Sequence, residues 1–322
     1  MFNFFRTLFS PIIAILDFIT KYFKTIVFLT IMYFIVFDSN ENLKENTSLA
    51  NLQKIELSGP ILDVKKTLED IEKARTNKNI KGILFVVDSP GGAVAPSVEL
   101  AYAIKELKQI KPVVVYASGV IASGSYYASI WADKIIANPG SIVGSIGVIM
   151  QGVNAEELME KIGVSTQTVK AGKFKESGTP TRKWFDYEEK QLQAVIDDTY
   201  NMFITNVSNA RNLDVKNHTI FADAKIFTSK QAKEVGLVDE VATIFYAQNL
   251  LKDLAKVENP VWQKEDKFEK FMDKLVSEAV SQVTMMFGNS LKAYWFILIV
   301  GLESKKGEEI FSSPFFMNLF FK

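Results

Sequence analysis

Three short stretches of this chain carry residue types that do chemistry. The first is Asp88-Ser89-Pro90-Gly91-Gly92, which closes an apolar run and stands just before an amphipathic segment. Paired glycines at that point let backbone amides face a cleft at the C-terminal edge of a sheet, where ligands of open α/β folds bind. Two amides aimed at one point hold an oxyanion or a phosphate. The same residues also make a plain strand-to-helix turn. No G-x-x-x-x-G-K-[ST] sequence occurs, so the phosphate version has little support. The second stretch is Ser118-Gly119-Val120-Ile121-Ala122-Ser123-Gly124-Ser125-Tyr126-Tyr127. A serine in the first turn of a helix feels the positive dipole end, which favours a developing alkoxide. Ser123 holds that place, and it equally suits an ordinary N-cap.

A nucleophilic serine needs a base. The single histidine, His218, lies in a polar stretch and reads as a surface or turn residue. Lysine is the other option, and a neutral amine requires desolvation or a nearby positive charge. The third stretch, Lys170-Ala171-Gly172-Lys173-Phe174-Lys175-Glu176-Ser177-Gly178, places three lysines close together. By charge pattern alone it is a solvated basic loop. In an extended segment Lys173 and Lys175 share a side, so alternation does not choose between them.

Composition removes several other chemistries. The chain has 322 residues, no cysteine and one histidine. That excludes disulfides, thiolate nucleophiles, cysteine-ligated clusters and multi-histidine metal sites. No cofactor is expected. The 37 basic residues balance 37 acidic ones, whereas a nucleic-acid binder working through phosphates would show a basic excess.

The elements that must position these residues follow an α/β rhythm. KIELSGPI (54–61) reads as a strand and VKKTLEDIEKARTN (64–77) as a helix with Leu68, Ile71 and Ala74 at helical spacing. GILFVVD (82–88) and PVVVYAS (112–118) are continuous apolar runs, the mark of strands buried on both faces. Between them lies the amphipathic SVELAYAIKELKQI (97–110), and after them the helix-like 123–132 and the strand-like 134–140. This β-α-β-α-β-α-β order implies right-handed crossovers and a mostly parallel sheet. A long amphipathic helix is expected over 188–211, and helical, charged sequence over 249–292.

Residues 25–37, TIVFLTIMYFIVF, are uncharged and apolar. With Tyr22, Phe23 and Lys24 they would make a helix of about 24 Å, against roughly 30 Å of hydrocarbon. Lys21 and Lys24 can snorkel to the headgroups. Arg6, Lys21 and Lys24 precede the run, and Asp38, Glu41 and Glu45 follow it. The positive-inside rule then puts the N-terminus in the cytoplasm and the rest outside. A cleaved signal peptide would want small residues after the run, and Phe37-Asp38-Ser39-Asn40 is a poor site. The expected division is therefore a cytoplasmic or interfacial leader (1–21), a transmembrane anchor (22–37) and a polar linker (38–50). A catalytic domain (51–248) and a helical C-terminal extension (249–322) complete it. The apolar 293–302 is about 15 Å long as helix, too short to span alone.

Taken together, DSPGG, ASGSYYAS about thirty residues on, GSIGV (144–148), GKFKESGTPTRKW and AKIFTSKQAKEVGLVDEV (224–241) resemble the signal peptide peptidase A family. These are membrane-anchored serine-lysine peptidases with a fold like Clp protease and crotonase. The resemblance covers roughly residues 52–245, in order and at suitable spacing. It implies Ser123 as nucleophile and Lys175, the lysine after the aromatic, as general base. It also implies Ser145 as the residue orienting the lysine, and Gly92 and Gly124 as the oxyanion amides. One departure stands out: Ser125 occupies a position where the family usually has glycine, and its hydroxymethyl either narrows the cleft or caps the helix, which bears on the substrate pocket more than on the chemistry. The resemblance further implies peptide substrates, remnant signal peptides in particular. Its remaining implications are a homo-oligomeric ring whose dyad is shared between protomers, and an outward-facing location on the bacterial cytoplasmic membrane. Two other readings are a crotonase-like acyl-CoA enzyme and a membrane-tethered assembly protein whose dyad has decayed.

Overall fold

The computed structural model describes residues 50–263, together with helical residues 21–23, 25 and 27 near the N-terminus. The chain divides into two compact units, Glu45–Gln263 and a second made of Met1–Lys44 with Lys264–Lys322. Most of the expected anchor (22–37), the leader, the linker up to residue 49, and the C-terminal sequence after Gln263 lie outside the described residues. Among the described residues no helix is long and apolar enough to cross a membrane.

The first unit is an α/β domain with a mostly parallel sheet and flanking helices. Its elements run β1 (Leu52–Ser58), α1 (Lys65–Thr76), β2 (Gly82–Ser89), α2 (Val94–Lys108), β3 (Val113–Ala122) and α3 (Gly124–Ser129). β4 (Lys134–Ala137), β5 (Ile142–Gly144), α4 (Glu156–Lys161) and α5 (Asp186–Arg211) follow. A 3-10 turn (Val215–Ile220), β6 (Ile226–Thr228), α6 (Ser229–Glu234), β7 (Glu240–Val241) and α7 (Ile244–Leu254) complete the order. The sheet runs β1-β2-β3-β4-β7, all parallel. β5 pairs in parallel with the far end of β3, and β6 pairs antiparallel with β5.

The apolar runs give two-faced strands, as expected of a sheet covered on both sides. On one face Ile83, Phe85 and Val87 of β2, with Val113, Val115 and Ala117 of β3, join the larger core under α1, α2, α3 and α5. On the other, Leu52, Leu84, Val114 and Tyr116 pack with Ala247 and Leu251 of α7. α7 begins at Ile244, ends at Leu254 and closes the second core, and Trp262 then pairs beside Leu52. Of the helical, charged sequence expected over 249–292, the part up to Leu254 belongs to α7, and the part after Gln263 lies outside the described residues.

β3 is longer than its apolar run because it changes partners. Val114–Ala117 pair with β4, and Val120–Ala122 pair with β5. Between the two, the register against β2 jumps from Val87↔Ala117 to Ser89↔Ile121. One residue of β2, Asp88, thus faces three of β3, and a bulge of this kind bends a strand and re-aims the residues beyond it. The Asp88 carboxylate seats the bulge by accepting the Val120 N–H at 2.8 Å. Gly119 leaves room for it: a Cβ there would lie 2.5 Å from Asp88 Oδ1 and push the carboxylate aside. The redirected strand delivers Ser123.

Candidate active site

Ser123 sits between the end of β3 and the start of α3, with φ 53° and ψ −124°. A non-glycine residue in that region costs on the order of 1–3 kcal/mol and persists only where its surroundings over-determine it. Those surroundings are explicit. The Ser123 N–H donates to the Gly144 carbonyl at 2.8 Å, and the Ser123 carbonyl accepts from Tyr127 N–H at 3.0 Å. Four of the sequence candidates, Ser123, Ser145, Gly92 and Gly124, meet at this turn. Ser145 follows Gly144 directly, has φ 49°, and is held by its N–H to the Lys225 carbonyl at 2.7 Å.

Gly92 arrives from the loop after β2. Its neighbours pair with Ile61: the Ile61 N–H donates to the Gly91 carbonyl and the Ala93 N–H to the Ile61 carbonyl. In such a parallel bridge the flanking peptides bond inward, so the Gly92 N–H faces the other side. That side is Gly124, whose Cβ, if it had one, would lie 3.2 Å from the Gly92 nitrogen. Gly124 is the first residue of α3, so its N–H has no intrahelical acceptor. A side chain at Gly92 would clash with backbone, and one at Gly124 would have to displace the Ser97 hydroxyl. A Cβ on Gly92 would be 2.1 Å from the Ile61 carbonyl oxygen, and one on Gly124 would be 2.2 Å from Ser97 Oγ. Two backbone amides therefore flank the Ser123 turn, with glycine demanded by backbone crowding at Gly92 and favoured by the close Ser97 hydroxyl at Gly124.

The serine opens into a small cleft of about 90 Å³. Val94 and Val98 of α2, Val148 after β5, and Met202 and Phe203 of α5 give it apolar walls. Tyr127 meets Phe203 edge-on at 4.8 Å between ring centroids, and Asn206 of α5 donates to its hydroxyl. Burial pushes the Tyr127 phenol up, against the Asn206 hydrogen bond. The contribution of α5 was not legible in the sequence. Its pattern shows an amphipathic helix without showing which residues of the apolar face reach a cleft.

The structure separates the three lysines. Lys170 pairs with Glu176 at 2.7 Å. Lys173 lies over the Tyr187 ring at 4.4 Å and the Phe174 ring at 5.6 Å. The Lys175 side chain is exposed and makes no hydrogen bond or ion pair among the described residues. It does not line the Ser123 cleft, and the Ser145 hydroxyl has no hydrogen-bond partner among the described residues. A single chain thus brings together Ser123, Ser145, Gly92 and Gly124, and does not bring Lys175 to them. His218 closes the 3-10 turn, with Nδ1 3.1 Å from the Val215 carbonyl and its ring edge-on to Tyr200.

The segment carrying Lys175 is an arm, 149–183, anchored at its return. Glu188 has no exposed side-chain surface and accepts both guanidinium nitrogens of Arg182 at 2.9 Å, while Arg182 also reaches Glu176 at 3.2 Å. The Arg182 hydrogen bond, aided by the Phe185 N–H, holds the Glu188 carboxyl down at about 2 against desolvation. Glu176 is likewise held at about 2, chiefly by Lys170 and then by Thr168 and Arg182. Beyond this clasp the arm has little to bury. α4 has no buried residue, and Ile149, Val153, Leu158 and Ile162 are all more than half exposed.

Ser125 does not face the cleft. It is fully buried, with its hydroxyl between the ends of β2 and β3. The expectation that it bears on the substrate cleft is therefore replaced by a role behind the turn. Among the described residues no cluster of three or more metal-ligating side chains occurs.

Comparison with known proteins bears on this arrangement. Residues 105–258 match the family described as Peptidase family S49. A protein of Methanocaldococcus jannaschii with a provisional name as a protease is 46% identical over 193 residues, covering 60% of this chain and 61% of its own. A protein of Synechocystis, also provisionally named a protease, is 40% identical over 197 residues and 70% of its length is covered. One of Enterococcus faecium, provisionally named signal peptide peptidase SppA, is 33% identical over 232 residues, covering 68% of this chain and 67% of its own. The chain thus spans about two thirds of the length of these relatives.

Proposed function

The chain belongs to peptidase family S49, the family of signal peptide peptidase A, and from that premise we propose that it is a membrane-anchored serine endopeptidase working through Ser123 and Lys175. One observation carries the reading: a strained, half-buried Ser123 held beside two backbone amides that no side chain can obstruct. Holding a serine in a costly conformation beside paired donors serves attack on a carbonyl, and serves an N-cap no better than relaxed geometry would.

In this mechanism the neutral Lys175 amine takes the Ser123 proton as Oγ attacks the scissile carbonyl. The oxyanion that forms is held by the Gly92 and Gly124 N–H groups. The ammonium then protonates the leaving amine, and water activated by the same amine releases the acyl group. Ser145, next to the Ser123 turn, orients the amine. Lys175 is exposed in one chain, and packing of its arm against a second chain would supply the burial that a lysine base needs. This supports a homo-oligomeric ring in which the arm of one protomer completes the Ser123 site of its neighbour. The apolar walls of the cleft fit greasy peptides such as remnant signal peptides. The Clp protease/crotonase-like fold belongs to the same proposal, as does placement of residues 51–248 on the outer side of the bacterial cytoplasmic membrane. The apolar run at 25–37 and its flanking charges support that placement.

A serine-reactive phosphonate tests the reading. The intact chain in detergent should be labelled and Ser123→Ala should not. Labelling that survives Ser123→Ala overturns the nucleophile. An intact chain that is never labelled leaves the non-catalytic assembly protein.

A further inference from the structure

The Ser125 hydroxyl bridges the two segments that carry the candidate reaction machinery. It accepts the Ala122 N–H at 2.9 Å and lies 2.6 Å from the Ser89 carbonyl and 2.9 Å from the Ala122 carbonyl. A hydroxyl has one proton, so it donates to one carbonyl at a time, and the shorter contact is to Ser89. Ala122 immediately precedes Ser123. Ser89 ends β2 and leads through Pro90 into Gly91 and Gly92. Ser89 extends the same chain, since its own hydroxyl accepts the Gly91 N–H at 3.2 Å. The two segments also touch directly: a Cβ on Gly91 would lie 2.5 Å from the Gly124 nitrogen and 2.7 Å from the Ala122 carbonyl oxygen.

We infer that Ser125 is a positioning residue: its buried hydroxyl fixes the strained Ser123 turn against the Gly92 loop and so sets the spacing between nucleophile and oxyanion amides. The inference rests on the proposed role of Ser123 and deepens it. A glycine at 125 would leave the Ala122 N–H and the Ser89 carbonyl to find other partners in a dry site. Buried groups left unpaired are costly, so the local backbone would shift to satisfy them. Displacements below an ångström at a reacting centre cost rate rather than affinity. The residue touches the reaction only through the backbone, because its side chain is wholly buried and lies behind the turn.

The experiment uses the full chain in detergent, with phosphonate labelling rate and peptide hydrolysis as readouts. Ser125→Ala should slow labelling and lower kcat by roughly tenfold, with KM within about twofold. Ser125→Thr, which keeps the oxygen, should recover most of that loss. Unchanged labelling in a folded Ser125→Ala chain overturns the inference, whatever its melting temperature, since it makes the hydroxyl merely structural. A loss that appears in KM alone, or that Ser125→Thr fails to restore in a folded protein, overturns it too. Should Ser125→Ala not fold, Ser125→Gly is read by the same criteria. Failure of the underlying reading is distinct, for it appears as labelling that persists in Ser123→Ala.

Discussion

The Ser123 turn and the Lys175 arm differ in almost every physical respect. The turn is assembled from three chain segments that meet over a buried core: the Gly91–Gly92 loop, the junction of β3 with α3, and Gly144–Ser145. Its backbone is strained and its hydrogen bonds are internal. The arm is nearly all surface, clasped at Arg182–Glu188 and otherwise bearing exposed apolar side chains. A core can hold strained geometry because many contacts over-determine it. An arm of this kind can bring a group to a neighbour, because little in its own chain competes for it. Folding of one chain is enough to build the Ser123 turn, whereas under the proposed dyad the Lys175 half would be supplied by a second chain.

Disabling the Ser123 turn or the Lys175 arm should have the largest effects. Ser123→Ala should lower peptide hydrolysis by several orders of magnitude with unchanged circular dichroism, as nucleophile removal does elsewhere. Lys175→Ala should do the same, and Lys173→Ala should keep most of the activity. Mixed after dissociation, Ser123→Ala and Lys175→Ala chains should regain part of the activity, because a shared site pairs an intact serine with an intact lysine. A mixture as inactive as its parents would place both groups in one chain. His218→Asn should change neither rate nor pH profile.

Stability provides a second contrast. Leu251→Ala removes a fully buried side chain from the core behind β2 and β3, and should cost about 2–5 kcal/mol in chemical denaturation. Val169→Ala on the arm, where the side chain is wholly exposed, should change the denaturation midpoint of the separated chain by less than about 0.5 kcal/mol. A large effect of Val169→Ala on assembly with no effect on the separated chain would sharpen the comparison.

The smallest expected effect is in acid. Glu176 and Glu188 are held at about 2, below the ordinary carboxylate value of roughly 4.3. The clasp therefore contributes fully above the ordinary value and is lost as pH falls through the folded value near 2. Proteolytic cutting in 149–183 should rise on that acid side before the amides of β2 and β3 lose hydrogen-exchange protection. Simultaneous loss in both regions would show that the arm is not separately held.

Much of this molecule was legible in its residues. Continuous apolar runs at 82–88 and 112–118 required a sheet covered on both faces, because no polar face was left for water. Their alternation with amphipathic segments fixed a parallel order. The stretches DSPGG, ASGSYYAS and GSIGV named the residues that the fold brings together around Ser123. Charge pattern could not distinguish Lys170, Lys173 and Lys175, since a lysine's partner is a matter of three-dimensional contact. Only the folded chain shows Lys170 tied to Glu176, Lys173 laid on aromatic rings and Lys175 exposed.

Tertiary structure also decided where α7 belongs. Its apolar positions do not say that they close the second face of the sheet, and that made residue 248 a plausible end to the domain. Ser125 is the clearest case. In the sequence it is a small polar residue beside a candidate nucleophile, free to face the cleft or the core. Its direction was set by the bulge at Asp88, which brings the ends of β2 and β3 within reach of one hydroxyl. Local pattern fixes which residues are near in sequence and which face of an element they share. The meeting of Ser89, Ala122 and Ser125 depends on strand register, and register is set by the packing of the whole sheet.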